Sequence, residues 1–98
     1  MNKFGLPLNT YEQIKNLLKS FDEIENVKIF GSRAKGNFKP YSDIDLVVFG
    51  EKLNEKLLLH IASELDELPT PYKFDIVDYK TISNENFKLD IDKFSLEF

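Results

Sequence analysis

The segment DIDLVVF at residues 43–49 constrains the fold more than any other part of the sequence. Its side chains alternate between two faces, with Asp43, Asp45, Val47 and Phe49 on one and Ile44, Leu46 and Val48 on the other. The second half is apolar on both faces, which is typical of a central strand that is covered on both sides. We therefore expect a sheet built around this strand and backed by helices.

Hydrophobic periodicity predicts the elements around this strand. Helices are predicted near residues 10–21, 33–36, 53–68 and 84–93, and strands at residues 27–30 and 73–79. Thr10 and Gln13 have the spacing of a capping box, so the first helix is predicted to begin there. The order is α-β-α-β-α-β-α. The predicted class is α/β (α+β), a small mixed sheet of about three strands backed by helices.

Length and composition narrow the class of protein. The 98 residues predict a single domain over residues 1–98. Thirteen Lys and Arg against seventeen Asp and Glu give a net charge of −4, which disfavours binding to a nucleic-acid polymer or an anionic membrane. The sequence shows neither a long apolar run nor a signal-peptide pattern, so we expect no membrane association and a cytoplasmic location. The absence of cysteine excludes disulfides and thiolate metal sites.

Gly31 and Ser32 follow a predicted strand and begin a turn of helix. Free backbone N–H groups at such a start favour anions, glycine lets a phosphate approach the backbone, and the serine hydroxyl can donate another hydrogen bond. The surrounding segment, residues 27–42, contains no acidic residue and four basic ones: Lys28, Arg33, Lys35 and Lys39. The alternative, a turn glycine and a helix cap within a solvated run of charge, stays open.

Two carboxylates stand two residues apart at the start of the central strand. Asp43 and Asp45 point to the same face, with Cα atoms roughly 6.5–7 Å apart. Such a pair suits a cation between its members, and Mg²⁺ binds through one or two carboxylates together with substrate phosphates. Asp75 on the next strand offers a third carboxylate, and alternation places its competitor Asp78 on the opposite face. Solvated aspartates without any ligand are the alternative for each position.

Together these residues form the pattern Gly-Ser, ten residues, Asp-x-Asp and an aspartate on a following strand. The segments GSRAKG (31–36), SDIDLVV (42–48) and FDIVD (74–78) resemble the minimal nucleotidyltransferases of the DNA polymerase beta superfamily. The resemblance is greatest to the MntA type, a small antitoxin that is encoded beside a HEPN-domain toxin. It covers nearly the whole chain and implies the nucleotidyltransferase fold.

The resemblance implies ATP as substrate and assigns its contacts. Gly31 and Ser32 would hold the β- and γ-phosphates, with Arg33, Lys35 and Ser42 as further nucleotide-binding residues. Relatives often have arginine at the position of Lys35, and a lysine can meet phosphate only as a point charge without the guanidinium fork.

The resemblance also implies the metal ligands and the catalytic residues. Asp43 and Asp45 would bind two Mg²⁺ ions. Asp75 would bind the catalytic ion and help to deprotonate the acceptor hydroxyl. Two such ions clamp the attacking and the leaving oxygen of an in-line displacement.

Larger relatives carry a helical domain that completes the site, and 98 residues leave no length for one. The resemblance therefore implies a hetero-oligomer with a helical HEPN-type toxin, which receives AMP on a tyrosine and is neutralised. Apolar candidates for this contact, or for ordinary packing, are Phe38, Tyr41, Phe94, Leu96 and Phe98. Two other functions stay open: the catalytic half of a two-subunit small-molecule nucleotidyltransferase, and a non-catalytic nucleotide- or protein-binding module that occludes its partner.

Overall fold

The computed structural model describes residues 2–98. This part of the chain contains four α-helices, six short strands and one 3-10 turn at Tyr79–Thr81. None of these helices is long and apolar enough to cross a membrane. In chain order the elements are β1 Asn2–Lys3, β2 Leu6–Pro7, α1 Leu8–Lys19, β3 Asn26–Phe30, α2 Gly31–Lys35, β4 Ile44–Phe49, α3 Glu55–Asp66, β5 Phe74–Asp78, α4 Glu85–Phe94 and β6 Leu96–Glu97.

The central strand β4 lies inside a four-stranded sheet of order β5-β4-β3-β6. It pairs in parallel with β5 and antiparallel with β3, and β6 pairs antiparallel with β3. The sheet is therefore mixed, as predicted, but it has one strand more than the three that were expected. Strand β6 pairs through Leu96 and Glu97 alone, and two residues are too few to show a periodic pattern in a sequence.

The side chains of β4 alternate between two apolar layers. Ile44, Leu46 and Val48 are fully buried in the larger layer, which α1 and α3 cover. Val47 is fully buried on the opposite side, against Ile91 of α4. Each aliphatic side chain of this size contributes about 1.5–3 kcal/mol when it is buried. The predicted placement of β4, in the centre and covered on both faces, is confirmed.

Helix α1 begins earlier than the sequence predicted. Strands β1 and β2 form an antiparallel hairpin, and β2 leads directly into the helix at Leu8. Thr10 is therefore buried inside the helix, and the predicted capping box of Thr10 with Gln13 is wrong. Pro7, whose ring restricts φ to −56°, occupies the capping position and makes no side-chain hydrogen bond there.

The two later long helices begin at asparagine caps. Asn54 Oδ1 accepts a hydrogen bond from the Leu57 N–H at 2.8 Å, and Asn84 Oδ1 accepts one from the Phe87 N–H at 3.0 Å. Each bond satisfies a backbone N–H group that has no partner within its helix. The second cap confirms the predicted start of α4, and the first places the start of α3 two residues beyond the predicted Leu53.

Candidate active site

Two of the predicted aspartates lie side by side where strands β4 and β5 begin, a region that we call the carboxylate edge. Asp45 on β4 stands opposite Asp75 on the parallel strand β5, and opposite Phe30 on the antiparallel strand β3. Residues opposite each other on paired strands direct their side chains to the same face, so these two carboxylates share it. Asp43 lies just before β4 and is exposed. The structure therefore groups all three aspartates at the start of β4 and β5.

Asp78, the alternative third carboxylate, is buried near the other end of β5. It accepts hydrogen bonds from Lys80 Nζ at 3.1 Å and from the Lys80 backbone N–H at 3.0 Å. The same ammonium group donates to the carbonyl oxygens of Gly50 and Leu53. This network ties the end of β5 to the loop before α3. Its geometry leaves Asp75 as the carboxylate on the face of Asp45.

Gly31 brings the Gly-Ser segment into contact with the Asp-x-Asp strand. Strand β3 ends at Phe30, opposite Asp45, so the next residue lies beside the Asp45 carboxylate. Gly31 has a φ of +71°, and a Cβ built on it would overlap with Asp45 Oδ2. Only glycine tolerates both this φ and such a close approach. The β3–β4 pairing thus makes the two motifs neighbours across the ten residues that connect them.

Asp45 carries its charge in unfavourable surroundings. The pKa of Asp45 is raised from 3.8 to about 6, first by burial and then by the carboxylates of Asp75 and Asp43, whereas Arg33 acts in the opposite direction. Like charges held this close favour a bound cation, because the cation removes their repulsion. A half-buried carboxylate with a perturbed pKa is also typical of functional sites.

The donor chemistry fits a hard divalent cation such as Mg²⁺, which prefers carboxylate oxygens. Within residues 2–98, however, no three carboxylate or imidazole side chains converge closely enough to form a preassembled ion site. In nucleotide sites Mg²⁺ takes one or two carboxylates, and phosphate oxygens and water fill the remaining positions. Asp45 with Asp43 or Asp75 therefore fits an ion that arrives with a nucleotide, rather than a resident structural ion.

Arg33, the only arginine in the chain, is 2% exposed. Its guanidinium donates four hydrogen bonds to backbone carbonyl oxygens, two of them to Ser42 and one each to Phe4 and Pro40. The sequence predicted a contact between Arg33 and the nucleotide. The structure instead directs this side chain to the backbone of the loop before β4 and of the β1–β2 hairpin, where its donors meet carbonyl oxygens.

Lys35 and Ser42, which the sequence also predicted to bind the nucleotide, already have protein partners. Lys35 Nζ forms an ion pair with Asp90 Oδ1 of α4 at 3.0 Å and lies 5.2 Å from the centre of the Phe94 ring. Ser42 Oγ accepts a hydrogen bond from the Lys39 N–H at 2.8 Å. Sequence reasoning did not identify Asp90, because it lies 55 positions from Lys35 and only the packing of α2 against α4 brings them together.

The carboxylate edge is accessible to solvent, because Asp43 and Asp75 are exposed and Asp45 is half-buried. Two surface pockets of about 430 and 530 Å³ occur elsewhere, the first between α1 and β3 and the second beside Tyr41 and Tyr72. Neither is lined by Gly31, Asp45 or Asp75. A substrate at this edge would therefore remain accessible to a second molecule.

The five apolar candidates for partner contact divide into two groups. Tyr41 is 74% exposed, and Phe94 and Leu96 are 45% and 46% exposed. Phe98 is buried and Phe38 is half-buried, so these two side chains serve packing. The three exposed ones stay candidates for contact with a partner.

Sequence comparison identifies the family of this chain. The family model described as Polymerase beta, Nucleotidyltransferase matches residues 12–95. The chain is also 35% identical over 73 residues to the probable protein adenylyltransferase MntA of Haemophilus influenzae (strain ATCC 51907 / DSM 11121 / KW20 / Rd). That match covers 74% of this chain and 64% of the relative, so the chain spans just under two thirds of the length of the curated protein it matches.

Solved structures share the fold. A crystal structure of a toxin–antitoxin with AMP-PNP matches with a TM-score of 0.71 at 21% identity, over 91% of this chain and 71% of the other. A structure of tri-AMPylated Shewanella oneidensis HEPN toxin in complex with MNT antitoxin matches with a TM-score of 0.65 at 20% identity, over 92% of this chain and 68% of the other. At such identities the likeness shows the fold alone.

Proposed function

Because the chain belongs to the polymerase beta nucleotidyltransferase family, we propose that it transfers AMP from ATP to a hydroxyl group of a partner protein. The acceptor is a tyrosine of a helical HEPN-type toxin. Its modification neutralises the toxin, so that the chain acts as the antitoxin of a hetero-oligomeric pair. The reaction requires ATP and two Mg²⁺ ions.

The observation that carries this proposal is the register that sets Asp45 beside Asp75 and against Gly31. Burial, and then the carboxylates of Asp75 and Asp43, raise the pKa of Asp45 to about 6, so a charge on Asp45 is costly in the ligand-free protein. A divalent cation bound with a triphosphate removes that cost. The same arrangement of carboxylates beside a phosphate loop is what nucleotidyl transfer requires.

Each residue of the site has a role in this proposal. Bound Mg²⁺ would supply positive charge to the phosphates and to the oxygens that attack and leave. Asp43 and Asp45 would hold the two ions, Asp75 would also bind the catalytic one, and Gly31 and Ser32 would receive the β- and γ-phosphates. Asp75 accepts the proton of the acceptor hydroxyl. The hydroxyl oxygen bonds to the α-phosphorus while the bond from the α-phosphorus to pyrophosphate breaks.

Lys35 and Ser42 complete the proposed nucleotide contacts. The ion pair of Lys35 with Asp90 is half-exposed, and pairs of this kind contribute only about 0–1 kcal/mol. A phosphate can therefore compete with Asp90 for the ammonium group. Arg33 is not among these contacts, because its donors bind backbone carbonyl oxygens.

The open carboxylate edge supports a protein acceptor, since a macromolecular hydroxyl can reach it without entering an enclosed pocket. The names of two relatives support the same choice. The Haemophilus protein is named a protein adenylyltransferase, and the Shewanella toxin carries AMP in its complex with an antitoxin of this fold. The exposed Tyr41, Phe94 and Leu96 offer apolar contact area for such a partner.

The test is incubation of the chain with Mg²⁺, ATP labelled on its α-phosphate, and the product of the neighbouring gene. We expect label on a tyrosine of that product, located by mass spectrometry. Asp43→Ala and Asp45→Ala should each reduce labelling by at least ~100-fold, the loss typical when transition-state charge stabilisation is removed. Asp66→Ala removes an exposed aspartate of α3 and should leave labelling unchanged.

The other functions give different results in this experiment. Label on a small molecule instead of the protein would indicate a two-subunit small-molecule nucleotidyltransferase. Neutralisation of the partner that survives loss of all three aspartates would indicate an occluding module. Equal labelling by the wild-type, Asp43→Ala and Asp45→Ala proteins would contradict the proposed mechanism.

A further inference from the structure

Arg33 joins three segments of the chain through its guanidinium. Nη1 donates to the Phe4 carbonyl oxygen at 3.0 Å, in the turn of the β1–β2 hairpin. Nη2 donates to the carbonyl oxygens of Pro40 at 3.3 Å and Ser42 at 2.9 Å, and Nε donates to Ser42 at 3.2 Å. Hydrogen bonds from a charged donor are stronger than neutral ones, and the side chain that donates these four is buried.

Two aromatic rings lie against the same guanidinium. Its central carbon lies 5.0 Å from the centre of the Phe38 ring and 5.1 Å from that of Tyr72. Phe38 belongs to the loop before β4, and Tyr72 precedes β5, the strand that carries Asp75. A planar cation stacks on aromatic faces in a way that an ammonium group does not reproduce. The stack therefore connects this loop to the start of β5.

The loop itself contains a local turn that does not attach it to the rest of the fold. The Ser42 N–H donates to the Lys39 carbonyl oxygen at 3.1 Å, and the Lys39 N–H donates to Ser42 Oγ at 2.8 Å. Arg33 attaches this turn to α2, on which it follows Gly31 and Ser32 directly. The loop ends at Asp43, so one side chain connects the Gly-Ser segment with the first aspartate.

We propose that Arg33 is a positioning residue for nucleotidyl transfer: it holds Ser42, and with it Asp43, at a fixed place relative to Gly31 and Ser32. Its effect on catalysis rests on the function proposed above, whereas the fixed loop is a property of the ligand-free protein. Arg33 acts through Asp43 and touches neither nucleotide nor metal.

The direct test is amide hydrogen exchange on the ligand-free full chain. Arg33→Lys keeps the charge but cannot donate to three carbonyl oxygens in one plane or fill the aromatic stack. We expect the hydrogen-bonded amides of residues 37–43, those of Asn37, Lys39 and Ser42, to exchange at least about ten-fold faster in this variant, while those of β3 and β4 keep their protection. Wild-type exchange in residues 37–43 would overturn the proposal.

A matched control separates positioning from a general loss of stability. Asp78→Asn removes the charge from a different buried network, which ties β5 to the loop before α3. We expect it to lower the melting temperature without a selective effect on residues 37–43. A rise in exchange there equal to that of Arg33→Lys would show that the loop responds to any destabilisation, and would overturn the assignment.

The consequence for catalysis is measured as a split between kinetic parameters. With Mg²⁺, ATP and the partner, Arg33→Lys should lower kcat at least about ten-fold and raise the Mg²⁺ concentration for half-maximal rate, because Asp43 is no longer held in place. Asp78→Asn should change neither parameter at a temperature where it is folded. Unchanged kinetics in Arg33→Lys would refute the catalytic role. Failure of the wild-type protein to transfer AMP would refute the proposed function instead, and the exchange result would still decide whether Arg33 fixes the loop.

Discussion

Arg33 is a buried charge in the β3–β4 connection, Asp45 is a half-buried charge near the start of β4, and their surroundings differ. Arg33 donates four hydrogen bonds and contacts two aromatic rings. Asp45 has like charges for neighbours and a pKa of about 6. Burial lowers the pKa of Arg33 and so disfavours its charge as well, but four hydrogen bonds compensate for this cost. Asp45 instead faces two like charges, which is typical of a site that binds a cation.

The largest expected effect on stability comes from removing the Arg33 side chain. Arg33→Ala leaves the carbonyl oxygens of Phe4, Pro40 and Ser42 without their donor and empties the aromatic stack. Breaking a buried network of this kind should lower the free energy of unfolding by about 3 kcal/mol. Urea denaturation of the variant and the wild-type protein measures the difference. A loss below about 1 kcal/mol would mean that water replaces the guanidinium, and the contrast with Asp45 would fail.

The next effect concerns the contact between the two motifs. Gly31→Ala forces a side chain into a positive φ and against the Asp45 carboxylate, which should cost about 2 kcal/mol or more. Gly36 is the matched control, since its φ of +83° is similar but nothing lies within 4 Å of the added Cβ. Gly36→Ala should cost only about 1 kcal/mol. Equal losses of unfolding free energy in the two variants would show that the Asp45 carboxylate moves aside without destabilising the protein.

Removing the charge of Asp45 should raise the free energy of unfolding rather than lower it. The folded-state pKa of Asp45 is raised above its ordinary value, so the folded protein holds this proton more firmly than the unfolded chain. Stability from this group is therefore lost as pH rises from about 4 to about 6. Asp45→Asn avoids that loss and should stabilise the ligand-free protein at pH 7 by ~1 kcal/mol, a figure reduced because solvent screens a half-exposed carboxylate.

The measurement is the difference in unfolding free energy between Asp45→Asn and the wild-type protein across pH 4–8. This difference should grow from near zero at the acid end and level off above about pH 6. Mg²⁺ with ATP should reverse it, because the ligands stabilise the wild-type protein more than the variant. A variant that is less stable at every pH would show that Asp45 is as well satisfied as Arg33.

The smallest expected effect belongs to a charge that lies between these extremes. Lys35 has a partner in Asp90, but both side chains are 37% exposed, so their pairing contributes little. Asp90→Asn should change the free energy of unfolding by less than about 0.5 kcal/mol. Denaturation at low salt, where exposed pairs contribute most, is the most sensitive check. A loss above about 1 kcal/mol would place Lys35 with Arg33 as a structural cation and would weaken its proposed contact with phosphate.

Much of the fold could be predicted because the patterns that indicate its helices and strands involve residues close together in the sequence. Alternation in residues 43–49 identified the two faces of β4, and Asn84 marked the start of α4. The β1–β2 hairpin was missed, and the pairing of β6 with β3 was not predicted, because strands of two residues have no periodicity. The early start of α1 was missed for a related reason, since the hairpin, rather than the spacing of Thr10 and Gln13, determines where the helix begins.

The candidate site shows the same division. The sequence indicated the candidate carboxylates and the Gly-Ser segment, and alternation placed Asp78 on the opposite face from Asp75. A sequence pattern does not distinguish a basic residue that faces a nucleotide from one that faces protein groups. The protein partners of Arg33 and Lys35 could therefore not be predicted. Phe4 accepts a hydrogen bond from Arg33 through its backbone carbonyl oxygen, and such a contact does not depend on which side chain the residue carries.

By itself, the sequence determined the faces of β4, the spacing of the Gly-Ser and Asp-x-Asp segments, and the family they belong to, because these depend on neighbouring residues and on the period of a strand. The tertiary structure alone decided that Asp45 stands opposite Asp75, that Gly31 touches Asp45, and that Arg33 binds the loop. Such contacts join residues distant in the chain, and their free energy arises only when packing excludes water and leaves each charge with the partners that the fold provides.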